Sequence, residues 1–91
     1  MESCTGGAVI NAITSVEGAS NVTQGGYVTY SNAQKMRVGV PEGVIERFGV
    51  YSPECAEAMA RTVQELMQSD TGIGITGVVE CGPKQHRQSA R

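Results

Sequence analysis

Ninety-one residues, 40% of them hydrophobic and carrying a formal charge of −2, are enough for one small domain and leave no room for a second. The near balance of charge offers no basic field to nucleic acid or an anionic membrane surface, and no apolar run approaches the ~20 residues of a membrane span. No charged-then-apolar leader opens the chain, which points to a cytoplasmic protein. The three scattered cysteines, Cys4, Cys55 and Cys81, read as free thiols, with neither a disulfide frame nor a metal site.

The chain opens on Glu2-Ser3-Cys4-Thr5-Gly6-Gly7, where hydroxyls and flexible glycines run into an apolar helical pattern. Free backbone amides converge there with the positive end of a helix dipole, a setting for an oxyanion or simply a helix capped by Thr5. Residues 8–16 are expected to be helical, with Val9, Ile13 and Val16 on one face and Gly18 as the stop. A polar turn follows, and Tyr27-Val28-Thr29-Tyr30 is the clearest strand signal. Ser31-Asn32 caps a short helix with Lys35 and Arg37 near its ends and Met36 and Val38 facing inward. Pro41 is expected at the first position of a helix that carries Val44, Ile45 and Phe48 to Gly49. The strongest helix covers residues 52–69, capped by Ser52 ahead of Pro53 and Glu54, with an apolar stripe of Cys55, Met59, Val63, Leu66 and Met67. Residues 73–79 read as a buried strand whose glycines, Gly72, Gly74 and Gly77, admit close approach by a backbone or a ligand. Residues 80–91 are polar and aperiodic and are expected to be an unstructured tail after a domain over residues 1–79.

Alternating helices and apolar strands imply an α/β layer architecture in which ligands gather at the carboxyl ends of strands. Three stretches qualify: residues 3–7, residues 30–35 and Thr76-Gly77. They assemble a hydroxyl nucleophile (Ser3), an amine (Lys35), a phenol (Tyr30) and amide donors (Thr5, Gly6, Gly77), the inventory of a serine hydrolase with lysine as base. Such a lysine must be neutral, so burial has to lower its pKa. The lone histidine, His86, falls in the tail, and neither G-x-x-x-x-G-K-[ST] nor a full G-x-G-x-x-G is present.

In this order Glu2-Ser3-Cys4-Thr5-Gly6-Gly7, Tyr30-Ser31-Asn32-Ala33-Gln34-Lys35, Val38-Gly39-Val40, Tyr51-Ser52-Pro53-Glu54, Met59-Ala60 and Thr76-Gly77 resemble the C-terminal domain of the CinA competence/damage-inducible proteins. The resemblance implies a three-layer α/β/α fold, usually oligomeric, without cofactor. It also implies a nicotinamide-nucleotide amidase, converting nicotinamide mononucleotide to nicotinate mononucleotide and ammonia. By the same resemblance Ser3 is the nucleophile, Lys35 the general base and Tyr30 the link between them. Thr5 and Gly6 supply oxyanion donors, and Thr76 and Gly77 lie beside the substrate.

Two departures from the family pattern accompany this. Family members carry a strand ahead of the E-S-C-T-G-G motif and continue well past Thr-Gly, so the chain reads as a domain truncated at both ends. One choice of synonymous codons for Glu80 to Arg87, read one base later, gives a family-like loop, which suggests a frameshifted tail. An inactive fragment, or a small nucleotide-binding or interaction module, is the alternative reading.

Overall fold

The structure, a computed structural model, describes residues 1–77. Residues 78 and 79 of the expected second strand, the expected domain boundary at residue 79 and the expected tail lie outside the described residues.

Among the described residues four α-helices run in order: α1 (Ala8–Thr14), α2 (Asn32–Val38), α3 (Glu42–Phe48) and α4 (Pro53–Met67), with a 3₁₀ turn at Ala19–Asn21. The extended segments between them pair as parallel bridges, Glu2 with Val28 on one side and with Ile75 on the other. Residues 1–3 therefore stand in the centre, in the place the sequence reading left without a strand. Glu2 N–H donates to Tyr27 O and Thr29 N–H to Glu2 O, both at 2.9 Å, while Ser3 N–H donates to Ile75 O at 3.1 Å and Ile75 N–H to Met1 O at 3.0 Å. The ladder stops at Ser3 because the backbone turns there, Gly6 N–H donating to Ser3 O at 3.0 Å. Four strand formers at residues 27–30 thus yield a single bridge, the turn having removed their partner.

Period-two alternation sends neighbouring side chains of the central segment to opposite faces. Met1 packs with Val40, Cys55, Met59 and Val63 in the buried core, with Tyr27 and Val38 against it. Glu2 points the other way, to the start of α1.

Local chemistry explains most helix ends. Ser52 Oγ accepts from Cys55 N–H at 3.1 Å and opens α4, and Ser31 Oγ does the same for Gln34 in α2. Pro41 sits just before α3, extended at φ −63°, ψ 131°, so Glu42 and not Pro41 holds the first helical position. α1 ends at Thr14, two residues short of the expected Val16. Thr14 Oγ1 and Ser15 Oγ donate back to the carbonyls of Ile10 and Asn11, which bends the chain away from helix. Val16 is left exposed, as is Leu66 on α4.

The glycines at 72 and 74 meet a backbone, not a ligand. A Cβ on Gly72 would run into the Ala60 carbonyl, and one on Gly74 into the Ala56 carbonyl. Bare backbone lets the segment lie flat on α4.

Candidate active site

Ser3 is the last residue of the central segment, 7% exposed. Its backbone is held by the Ile75 carbonyl on one flank and by the Gly6 amide at the turn. The turn needs glycine because Gly6 and Gly7 take φ values of 60° and 111°, in the left-handed region.

Lys35 reaches the same point from α2. The sequence reading turned Met36 inward and also asked for burial of Lys35; the structure buries Lys35, 1% exposed, and leaves Met36 37% exposed. Lys35 Nζ donates to Ser3 Oγ at 3.2 Å and to Thr29 O at 2.9 Å. Burial holds its pKa below the ordinary 10.5, while the nearby Cys55 and Cys4 thiols pull it back up. Burial also pushes the Cys55 thiol up, against the opposing effect of Lys35. The ion pair seen among the described residues, Arg61 with Glu57, is exposed on α4. Among the described residues Lys35 therefore meets neutral oxygens and no carboxylate.

Of the other expected site residues, the structure brings some near and leaves one out. Tyr30 is 77% exposed and makes no hydrogen bond with Ser3 or Lys35 among the described residues; its neighbour Thr29 supplies the contact to the lysine. Thr5 is no simple N-cap: its hydroxyl donates to Glu2 Oε1. The Gly6 amide is already committed to Ser3 O, whereas the amides of Cys4 and Thr5 have no acceptor among the described residues. Thr76 Oγ1 donates to Val50 O at 2.8 Å, tying the end of its segment to the α3–α4 connection. Gly77 passes close to Cys4, a Cβ built there lying 3.7 Å from Cys4 Sγ.

The sequence reading did not single out Glu2, Thr29 or Cys55 for the site. Glu2, 4% exposed, accepts from the Thr5 hydroxyl, from Gly7 and Val9 N–H at 3.1 Å and from Ile10 N–H at 2.9 Å. The anion expected at the start of α1 is thus the chain's own carboxylate. Burial alone would raise its pKa, but the Thr5, Ile10, Val9 and Gly7 hydrogen bonds outweigh that and hold it at about 2. An acid with a threonine three residues later, before a helix, was the available signal. Thr29, 2% exposed, keeps a buried hydroxyl without a partner among the described residues; its alternation with the core residue Tyr27 was the clue to its facing inward.

The pair also stands apart from a cavity on the α1 side of the molecule. This cavity of about 380 Å³ lies between α1, the end of α4 and residues 20–27, floored by Met1, Ile10, Tyr27, Met67 and Ile73, and neither Ser3 nor Lys35 lines it.

Ser3 and Lys35 thus form a buried hydroxyl–amine pair with no carboxylate partner among the described residues. The family model described as CinA C-terminal domain matches residues 1–91. The chain belongs to the CinA C-terminal domain family. It is 46% identical over 82 residues to a competence-damage inducible protein of Moorella thermoacetica, covering 89% of this chain and 20% of that protein. To the nicotinamide-nucleotide amidohydrolase PncC of Pseudomonas putida it is 47% identical over 78 residues, 85% of this chain and 49% of that protein. The crystal structure of the competence/damage inducible protein CihA from Agrobacterium tumefaciens superposes with a TM-score of 0.78 at 32% identity, over 90% of this chain and 50% of the other. The fold is therefore CinA-like, and the chain spans half or less of each of these three relatives.

Proposed function

We propose that the chain is an amide hydrolase acting on nicotinamide mononucleotide, with Ser3 as nucleophile and Lys35 as general base. The observation that carries it is the lysine itself: buried, bonded to Ser3 Oγ and Thr29 O, and without a carboxylate partner among the described residues. In that setting the neutral amine is favoured, with a lone pair for the Ser3 proton. Ser3 Oγ attacks the carboxamide carbon as its proton passes to Nζ. The tetrahedral oxyanion is met by the Cys4 and Thr5 amides, which leave the same turn as the nucleophile. The C–N bond then breaks, Lys35 returns the proton to the departing nitrogen, and ammonia leaves. Water, deprotonated by Lys35, hydrolyses the acyl-serine to the carboxylate and restores both residues. Gly77, close to Cys4, and Thr76 before it line the substrate's path, and Tyr30 acts from the solvent side. The named activity of the Pseudomonas putida relative supports the choice of substrate.

The same reading makes the protein a cytoplasmic, cofactor-free enzyme of three α/β/α layers. Glu2 facing α1 and Met1 facing α4 support the layering. Exposed Val28, Tyr30 and Ile73 support assembly as a homo-oligomer, which sedimentation velocity checks. Among the described residues, no helix is long and apolar enough to cross a membrane. The deciding experiment is ammonia release from nicotinamide mononucleotide by purified protein beside its Ser3→Ala variant. Equal ammonia from both, or none from either, ends the catalytic reading.

A further inference from the structure

A closed ring of contacts runs through the pair. Glu2 O accepts from Thr29 N–H at 2.9 Å, Thr29 O accepts from Lys35 Nζ at 2.9 Å, Nζ meets Ser3 Oγ at 3.2 Å, and Ser3 is joined covalently to Glu2. Three of its contacts are single hydrogen bonds, and the ring is as rigid as the residue that anchors it. That residue is Glu2. Its main chain is held by Tyr27, while its buried carboxylate takes four hydrogen bonds from the Thr5 hydroxyl and the Gly7, Val9 and Ile10 amides.

We propose that Glu2 is a positioning residue for the Ser3–Lys35 pair: its carboxylate fixes the ring to the first turn of α1 and thereby sets where Ser3 Oγ stands. The proposal rests on the hydrolase reading only for its kinetic arm. Both carboxylate oxygens are used, Oε1 by three donors and Oε2 by the Ile10 amide. A glutamine of the same shape keeps one acceptor oxygen and sets an N–H donor against another N–H, so one anchor must be released. The segment then shifts at Ser3, where a displacement of ~1 Å costs about a hundredfold in rate.

The test compares wild type, Glu2→Gln and Thr5→Val at 20 °C, with far-ultraviolet circular dichroism confirming that each is folded. Two rates are read. One is modification of Ser3 by diisopropyl fluorophosphate, followed by intact mass, in which Oγ displaces fluoride and its proton passes to Lys35. The other is ammonia release from nicotinamide mononucleotide. Glu2→Gln is expected to lose at least about tenfold in both modification rate and kcat, with KM within about threefold. Thr5→Val, which removes one anchor of four, is expected to lose about threefold and remains the test if Glu2→Gln does not fold. A folded Glu2→Gln protein with unchanged modification rate and kcat overturns the proposal, even if its Tm is lower, and so does an unchanged Thr5→Val. A wild-type chain modified at Ser3 that releases no ammonia ends the amidase reading and leaves the modification ratios to decide on Glu2. A wild-type chain that is not modified overturns both.

Discussion

The two faces of residues 1–3 bury two ionisable groups almost equally and treat them in opposite ways. On one face Glu2, 4% exposed, is surrounded by four donors and its pKa sits at about 2. On the other Lys35, 1% exposed, has two neutral oxygens as partners and its pKa is lowered by burial. Burial opposes charge in both cases; the hydrogen-bond environment decides whether it prevails. The acid stays charged, while the amine is pushed toward its neutral form. The backbone of residues 1–3 stands between a carboxylate held charged and an amine whose charge burial disfavours.

Three experiments break or sharpen that contrast. The largest effect is expected on the reactive face. Lys35→Met removes the base while filling the same buried volume, and ammonia release should fall by about 10²–10⁴-fold. In the wild type kcat/KM should rise with pH toward a plateau whose midpoint lies below 10.5, since the reactive form is the neutral amine. A methionine variant retaining more than a tenth of the activity breaks the assignment.

The structural face responds in acid. The Glu2 carboxyl titrates at about 2 in the folded chain against an ordinary 4.5. The stabilisation from its hydrogen bonds is therefore complete above 4.5 and is lost as the pH falls from there toward 2. The Tm difference between wild type and Glu2→Gln should be largest above pH 5 and narrow as the pH falls below 4.5. A difference that stays constant down to pH 2.5 contradicts it.

The smallest effect is expected at Tyr30. Its side chain is exposed and bonds to neither member of the pair among the described residues, so Tyr30→Phe should keep kcat within about fivefold. A hundredfold loss would mean that the phenol closes onto Ser3 and Lys35 when substrate is bound.

Much of the arrangement could be read from local chemistry. Ser52 ahead of Pro53 and Glu54 announces α4 because capping is decided within four residues, and the spacing of Cys55, Met59 and Val63 predicts the face that does reach the core. Ser3 and Lys35 were paired from residue types and motif, and the structure sets them at hydrogen-bonding distance. The orientation of α2 was read two ways, Met36 inward by hydropathy and Lys35 buried by the chemistry asked of it. Seven residues allow more than one inward face, and transfer costs favour Met36 inside over Lys35; the structure overrides that preference with Ser3 and Thr29 as polar partners. Glu2 was missed for a different reason. Its partners extend to Ile10, eight residues on, and are gathered only when the chain folds back through Gly6 and Gly7.

The bare contacts of Gly72 and Gly74 on α4 work as a length gauge. The carbonyls they meet belong to Ala60 and Ala56, one helical turn apart, so the segment can settle on α4 in one register and a slip by one residue drives Ile73 into a carbonyl. Ile75, next in line, accepts the Ser3 amide. An extra residue inserted between Met67 and Gly72 would be absorbed by the connection, because the glycines still find their carbonyls. The same insertion between Gly72 and Gly74 would be carried to Ile75 and so to the serine, although no residue of the pair had been changed.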